Sequence, residues 1–151
     1  MKIPIDIHVR SERLCTDLAR RGQENPRPEI DDFYISGTMK KQKDGLRIEY
    51  TEDDGLISTL VHIFPDKTVS VHRIGIMNSH MTFSHGKAFT CICNTGFMPL
   101  QIRVNTKRMT NTLSMDGGKL DIEFSVEVVG NLAERNRLTM SVSPDKSIIK
   151  S

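Results

Sequence analysis

Arg73 poses the sharpest chemical question in this chain of 151 residues. In the run Val69-Ser70-Val71-His72-Arg73-Ile74-Gly75 it shares parity with Val69, Val71 and Gly75. A strand that turns its valines inward therefore turns this guanidinium inward too. A guanidinium stays protonated, and burying it without an anion or several carbonyl acceptors is costly. The inward positions that parity assigns offer no evident Asp or Glu. Two readings are open. In one, Arg73, helped by Thr106 on the Leu100, Ile102, Val104 stripe, grips the carboxylate or phosphate of a small ligand. In the other, Arg73 sits at a barrel end and hydrogen-bonds backbone carbonyls. The second is favoured, because long basic side chains bury their stems while their heads reach the rim.

Other chemistries are less well supplied. His80 and His85 flank Phe83, and His72 approaches them if their strands are neighbours. Their opposite parity, however, points His80 and His85 to different faces, and the paired spacing that marks zinc sites is missing. These, with His8 and His62, read as surface or turn histidines, and no metal or cofactor is expected. Cys91 and Cys93 share a face with Phe89, as small buried residues do; no base or helix N-terminus is in view to lower a thiol pKa. Ser70 and Ser84 lie near histidines without a nucleophile elbow. The glycines at 45, 55, 75, 86, 96, 117, 118 and 130 read as turns and bulges rather than a phosphate cradle. Lys40, Lys41 and Lys43, like Lys107 and Arg108, read as solvated hairpin ends. Catalysis is thus the least supported class of function.

The elements that must position these residues are short strands. Leu120, Ile122, Phe124, Val126 and Val128 alternate with Lys119, Asp121, Glu123, Ser125 and Glu127, a strand with one wet face. Across Asp116-Gly117-Gly118 lies the Leu100, Ile102, Val104, Thr106 stripe, completing a long hairpin. Asp44-Gly45 and Asp54-Gly55 bracket Leu46, Ile48 and Tyr50; Pro65-Asp66-Lys67 and His85-Gly86-Lys87 punctuate the segments after them. With Ile3, Ile5, Ile7 and Val9 as the first strand and Leu138, Met140 and Val142 as the last, about nine or ten strands are predicted, at the spacing of an all-β fold. Sequential hairpins favour an antiparallel up-and-down meander, and closure into a barrel removes exposed edges. A short helix is expected after the first strand, capped by Ser11, with Leu14 and Leu18 on one side and Gly22 as its stop. Asn25-Pro26-Arg27-Pro28 would make an extended connection. Residues 1–143 form one barrel domain, and residues 144–151 a loosely attached tail.

Composition bounds the partners. Lys plus Arg is 21 and Asp plus Glu 19, a formal charge of +2 that marks neither a general nucleic-acid binder nor an anionic-membrane binder. Six Phe, two Tyr and no Trp leave little for a base-stacking platform. Apolar stretches such as Leu56 to Phe64 fall far short of a bilayer span, and Asp6 interrupts the apolar run of a secretory signal. Three cysteines, two of them two apart on one strand, read as reduced thiols. A cytoplasmic location is the expectation.

The Val69 to Gly75 run, Phe83, Gly86 and Cys93-Asn94-Thr95-Gly96-Phe97, continued by Leu100 to Thr106 and Gly118-Lys119-Leu120-Asp121-Ile122, resembles the YwiB-like bacterial proteins, a family of unknown function. Phe33 to Ile63 fits more loosely. The resemblance implies a calycin-like β-barrel, the architecture of lipocalins and fatty-acid-binding proteins, and brings no reaction, ligand or catalytic residue. The chain has Cys93 where the family pattern usually has Tyr, and Met98 where it has Gly. Arg73, Thr106, Phe83 and Cys93 are the candidate ligand-binding residues. Two functions are in view: a cytoplasmic protein holding a small, partly apolar, anionic molecule in the barrel, or a protein-interaction or structural module with its barrel filled by side chains. Methionines such as Met39, Met81 and Met140 suit either. A connected cavity of a few hundred cubic ångströms reaching Arg73 separates them.

Overall fold

Period-two alternation governs every strand of the computed structural model, which describes residues 2–15, 28–52, 55–75, 78–94, 99–128 and 131–144. The strands are β1 (Lys2–Cys15), β2 (Glu29–Gln42), β3 (Gly45–Glu52), β4 (Ile57–Ile63), β5 (Val69–Gly75), β6 (Asn78–Phe83), β7 (Ala88–Asn94), β8 (Pro99–Asn111), β9 (Gly118–Val128) and β10 (Asn131–Pro144). Each pairs antiparallel with its neighbours in sequence, and β1 closes the barrel against β10. This is the all-β, calycin-like up-and-down barrel expected, with ten strands among the described residues. Among the described residues no helix is long and apolar enough to cross a membrane.

The inward face changes character along the barrel axis. At one end Ile5, Ile7, Met39, Ile48, Leu120, Ile122 and Met140 are almost wholly excluded from solvent. Towards the other end the same stripes turn polar. On β1, Ile5, Ile7 and Val9 give way to Ser11 and Arg13; on β10, Val142, Met140 and Leu138 give way to Asn136 and Glu134. On β3, Leu46, Ile48 and Tyr50 give way to Glu52, and on β5, Val69 and Val71 lead to Arg73. Strands β8 and β9 keep apolar inner residues at this end, with Ile102 and Val126 buried.

The expected helix is corrected in its first part. Ser11 to Cys15 continue β1, with Ser11 facing Asp31 on β2 and Leu138 on β10. Ser11 to Arg13 join ladders on both edges and Leu14 and Cys15 pair with β10, which satisfies their backbone groups more completely than one isolated helical turn would. The remainder of the predicted helix, and Asn25 to Arg27, lie outside the described residues. Pro144 still pairs with Ile5, and residues 145–151 of the expected tail also lie outside.

Local sequence shapes the wall. A side chain at Gly37 would collide with the Glu49 carbonyl oxygen and come within 2.9 Å of Ile7 Cδ1, so only glycine lets β2 pass this close to β3. Ladder pairing between these two strands begins at the next residue and runs through Thr38–Gln42. In β8 the register shifts between Thr106 and Arg108. The bulge leaves Lys107 and Arg108 both exposed and hands the inward position to Met109, which packs against the core.

Candidate ligand cavity

Where β1, β3 and β5 end and β2, β4, β6 and β10 begin, the inner stripes enclose a cavity of about 490 Å³. One wall is apolar: Val71, Met81, Phe83 and Phe124 line it, with Phe83 1% exposed. The Phe83 and Phe124 rings meet edge to face with centroids 4.8 Å apart, a favoured aromatic geometry. Arg13, Glu29 and Asp31 line its solvent-exposed side.

The polar wall centres on an ion pair. Arg73 Nη2 donates to Glu52 Oε2 at 3.0 Å, and Thr59 Oγ1 donates to the same oxygen at 3.0 Å. The Glu52 side chain is 15% exposed and that of Arg73 34%, so the carboxylate is the deeper partner. Tyr50 stands beside them in the lining. Burial, and secondarily the Glu52 carboxylate, push its phenol pKa upward against the pull of Arg73 and a hydrogen bond with Thr59. Tyr50 is therefore held as a neutral O–H group at neutral pH. A ligand head here would meet a guanidinium, a carboxylate and hydroxyls together.

A second polar group lies nearer the rim. Arg13 pairs with Glu29 and lies 3.9 Å from Glu134, whose Oε1 accepts from Asn136 Nδ2 at 3.4 Å. Asp31 also lines the cavity and has no ion-pair partner among the described residues.

Of the candidates named from sequence, Arg73 and Phe83 line this cavity. Thr106, 3% exposed, is not in its lining. Its Oγ1 accepts from the Ser84 amide at 3.3 Å, and its main chain bonds Gly86 and Lys87, tying β8 to the β6–β7 turn at the packed end. The Cys93 backbone pairs with Ser79 and Leu100; its side chain lies outside the described residues. The expectation that Arg73 has no acidic neighbour is overturned by Glu52, which continues the parity of Leu46, Ile48 and Tyr50. Extending that stripe one step past Tyr50 would have found it. Arg13, Glu29, Asp31 and Glu134 were also missed, though each shares parity with an apolar stripe.

The histidines lie elsewhere. His72 and His80 face each other across β5 and β6 on the outer wall, centroids 4.9 Å apart, with Ser70 Oγ 2.7 Å from His80 Nε2. His85 Nδ1 accepts from the Met109 amide at 3.3 Å, away from that pair. No three His, Cys, Asp or Glu side chains among the described residues are grouped to hold a metal ion. Cys91 is a free thiol buried in the core.

Residues 17–140 match the family model described as a domain of unknown function, DUF1934. Among solved structures, the crystal structure of the ywiB protein from Bacillus subtilis is similar in fold, with a TM-score of 0.77 at 19% sequence identity, covering 95% of this chain and 92% of that one. No curated protein matches the chain.

Proposed function

This chain belongs to the DUF1934 family, whose function is unknown, and on the geometry of its barrel we propose that it binds a small, partly apolar molecule in the cavity beside Arg73 and Glu52. The observation that carries this reading is a cavity of about 490 Å³ with an aromatic wall and a polar one, within the size range of small-molecule sites. A barrel serving only as a scaffold gains stability by filling such space, since each void forfeits packing. The packed end of this barrel does so. A protein-interaction module with a filled barrel is less well supported for that reason.

The anionic ligand expected from Arg73 loses its premise, because Glu52 already neutralises the guanidinium. Binding rather than turnover is the role proposed, and the reduced thiol reading of Cys91 keeps a cytoplasmic location part of it. Native mass spectrometry of protein purified without denaturation should find a retained small molecule. Val71→Phe, which fills the cavity from its wall, should abolish retention while the β-sheet dichroism stays unchanged. Retention unaffected by this change, or wild-type protein free of any small molecule and unshifted by a panel of amphipathic probes, overturns the reading.

A further inference from the structure

The charges and rings of this cavity choose a class of ligand. Among the described residues four carboxylates line it, those of Glu29, Asp31, Glu52 and Glu134, against two guanidiniums, those of Arg13 and Arg73. The chain as a whole carries the opposite sign, +2, so this acidic lining is not what the average composition would give. Arg73 is committed to Glu52. Arg13 is shared between Glu29 and the more distant Glu134. Asp31 has no cationic partner among the described residues.

The apolar part of the lining is equally selective. Of the six Phe and two Tyr in the chain, Phe33, Tyr50, Phe83 and Phe124 all face this one cavity. Aromatic faces carry negative potential and attract cations, most strongly where water is excluded. An anion entering here would have to displace Glu52 from Arg73 and then lie beside the remaining carboxylates, a like-charge arrangement that low-dielectric walls make costly.

We infer that the cavity takes an organic cation, an amine, amidine or quaternary ammonium group on an apolar body. Its charge would sit between the Asp31 and Glu134 carboxylates and its body against Phe83 and Phe124. This inference rests on the proposal that the barrel is a small-molecule site. Carboxylates at the exposed side also raise the local concentration of cations before binding.

Three probes of one shape test it: phenethylamine, phenethyl alcohol and hydrocinnamate, titrated into the full chain and followed by amide chemical shifts. The amine should bind about tenfold more tightly than hydrocinnamate, with the alcohol between them. Asp31→Asn combined with Glu134→Gln should bring the three affinities together, while Phe124→Leu should weaken the amine and leave the shifts of the packed end in place. Hydrocinnamate as the tightest probe, or three equal affinities untouched by the charge variants, overturns the cation inference and leaves the small-molecule reading standing. No binding of any probe at millimolar concentration, together with protein free of a retained molecule, overturns both.

Discussion

The packed end and the open end of this barrel are built from the same ten strands, and differ only in what each inner stripe presents. At the packed end Ile5, Ile7, Met39, Leu120 and Met140 fill the space between opposite walls. At the other end the stripes present Ser11, Arg13, Glu52, Arg73 and Glu134, and a cavity remains. Burial of apolar surface contributes about 25 cal/mol per Å², so the packed end supplies stability that the open end forgoes. Ion pairs at the open end hold polar side chains in place without adding comparable stability, because partial exposure and desolvation offset their attraction. Stability and recognition are thus separated along the barrel axis.

The largest effect should come from truncating the packed end. Leu120→Ala removes a fully buried side chain and should cost about 3 to 5 kcal/mol in urea denaturation. Met81→Ala, on the cavity wall and only partly buried, should cost about 1 to 2 kcal/mol, since it enlarges an existing space. Equal losses would erase the distinction between the two ends.

Next in size is the Arg73–Glu52 pair. Glu52→Gln leaves a guanidinium at a partly buried site without its counter-charge and should cost about 1 to 2 kcal/mol, the figure for a fully buried pair being reduced by the 34% exposure of Arg73. Arg73→Met should cost a similar amount. The double variant should be more stable than the sum of the two losses predicts, as coupled neighbours are non-additive. Strict additivity in the double-mutant cycle would show that the two groups do not sense each other.

Most of this architecture was legible in the sequence, and the misses have physical causes. Parity in Leu120 to Val128 and Ile3 to Val9, with turns about every ten residues, suffices for a meander, because one face must be dry and turns need particular residues. Parity also turned Arg73 inward. It does not report height along the axis, so Thr106 and Arg73 share an inward face by parity while standing at different levels of the barrel. Ser11, Glu12 and Leu14 imitate a helix start locally, and only pairing with both β2 and β10 overrides them. The bulge after Thr106 leaves no mark in the alternation until both strands are aligned. Glu52 was readable, since it continues a stripe already identified.

Outside the barrel, the ion pair of Asp121 with Arg137 gives a charge contrast with the cavity pair. Hydrogen bonds from Arg137 Nε and Nη2, at 3.1 and 2.8 Å, hold the Asp121 carboxyl below the ordinary carboxylate range. A depressed carboxyl contributes its full stability above its unfolded value, near 3.8, and loses it as pH falls through the folded value. Denaturation midpoints should therefore fall more steeply between about pH 4 and pH 2 in the wild type than in Asp121→Asn. Parallel profiles would mean that the pair adds nothing beyond its geometry.

The smallest expected effect has the opposite chemistry and sits on the outer wall. Desolvation, and then the facing His72, lower the His80 pKa from 6.5. A base whose folded value is depressed stays neutral in the barrel while the unfolded chain takes up its proton. Well above the unfolded value of 6.5 neither state is protonated and the histidine contributes no slope. As pH falls through 6.5 towards the folded value, the unfolded state binds more protons and stability declines. His80→Gln keeps a side chain able to meet Ser70 Oγ and removes the titration, so its thermal midpoint should fall less between pH 7.5 and about 5.5 than that of the wild type. Solvent screening keeps the difference small, and buffers matched in ionic strength are needed to read it. His72→Gln should raise the His80 pKa towards 6.5 in a titration of its ring proton shifts, because the like charge across β5 and β6 is then gone. An unchanged His80 titration in that variant would assign the shift to burial alone, and would show that the two facing rings do not sense each other's charge.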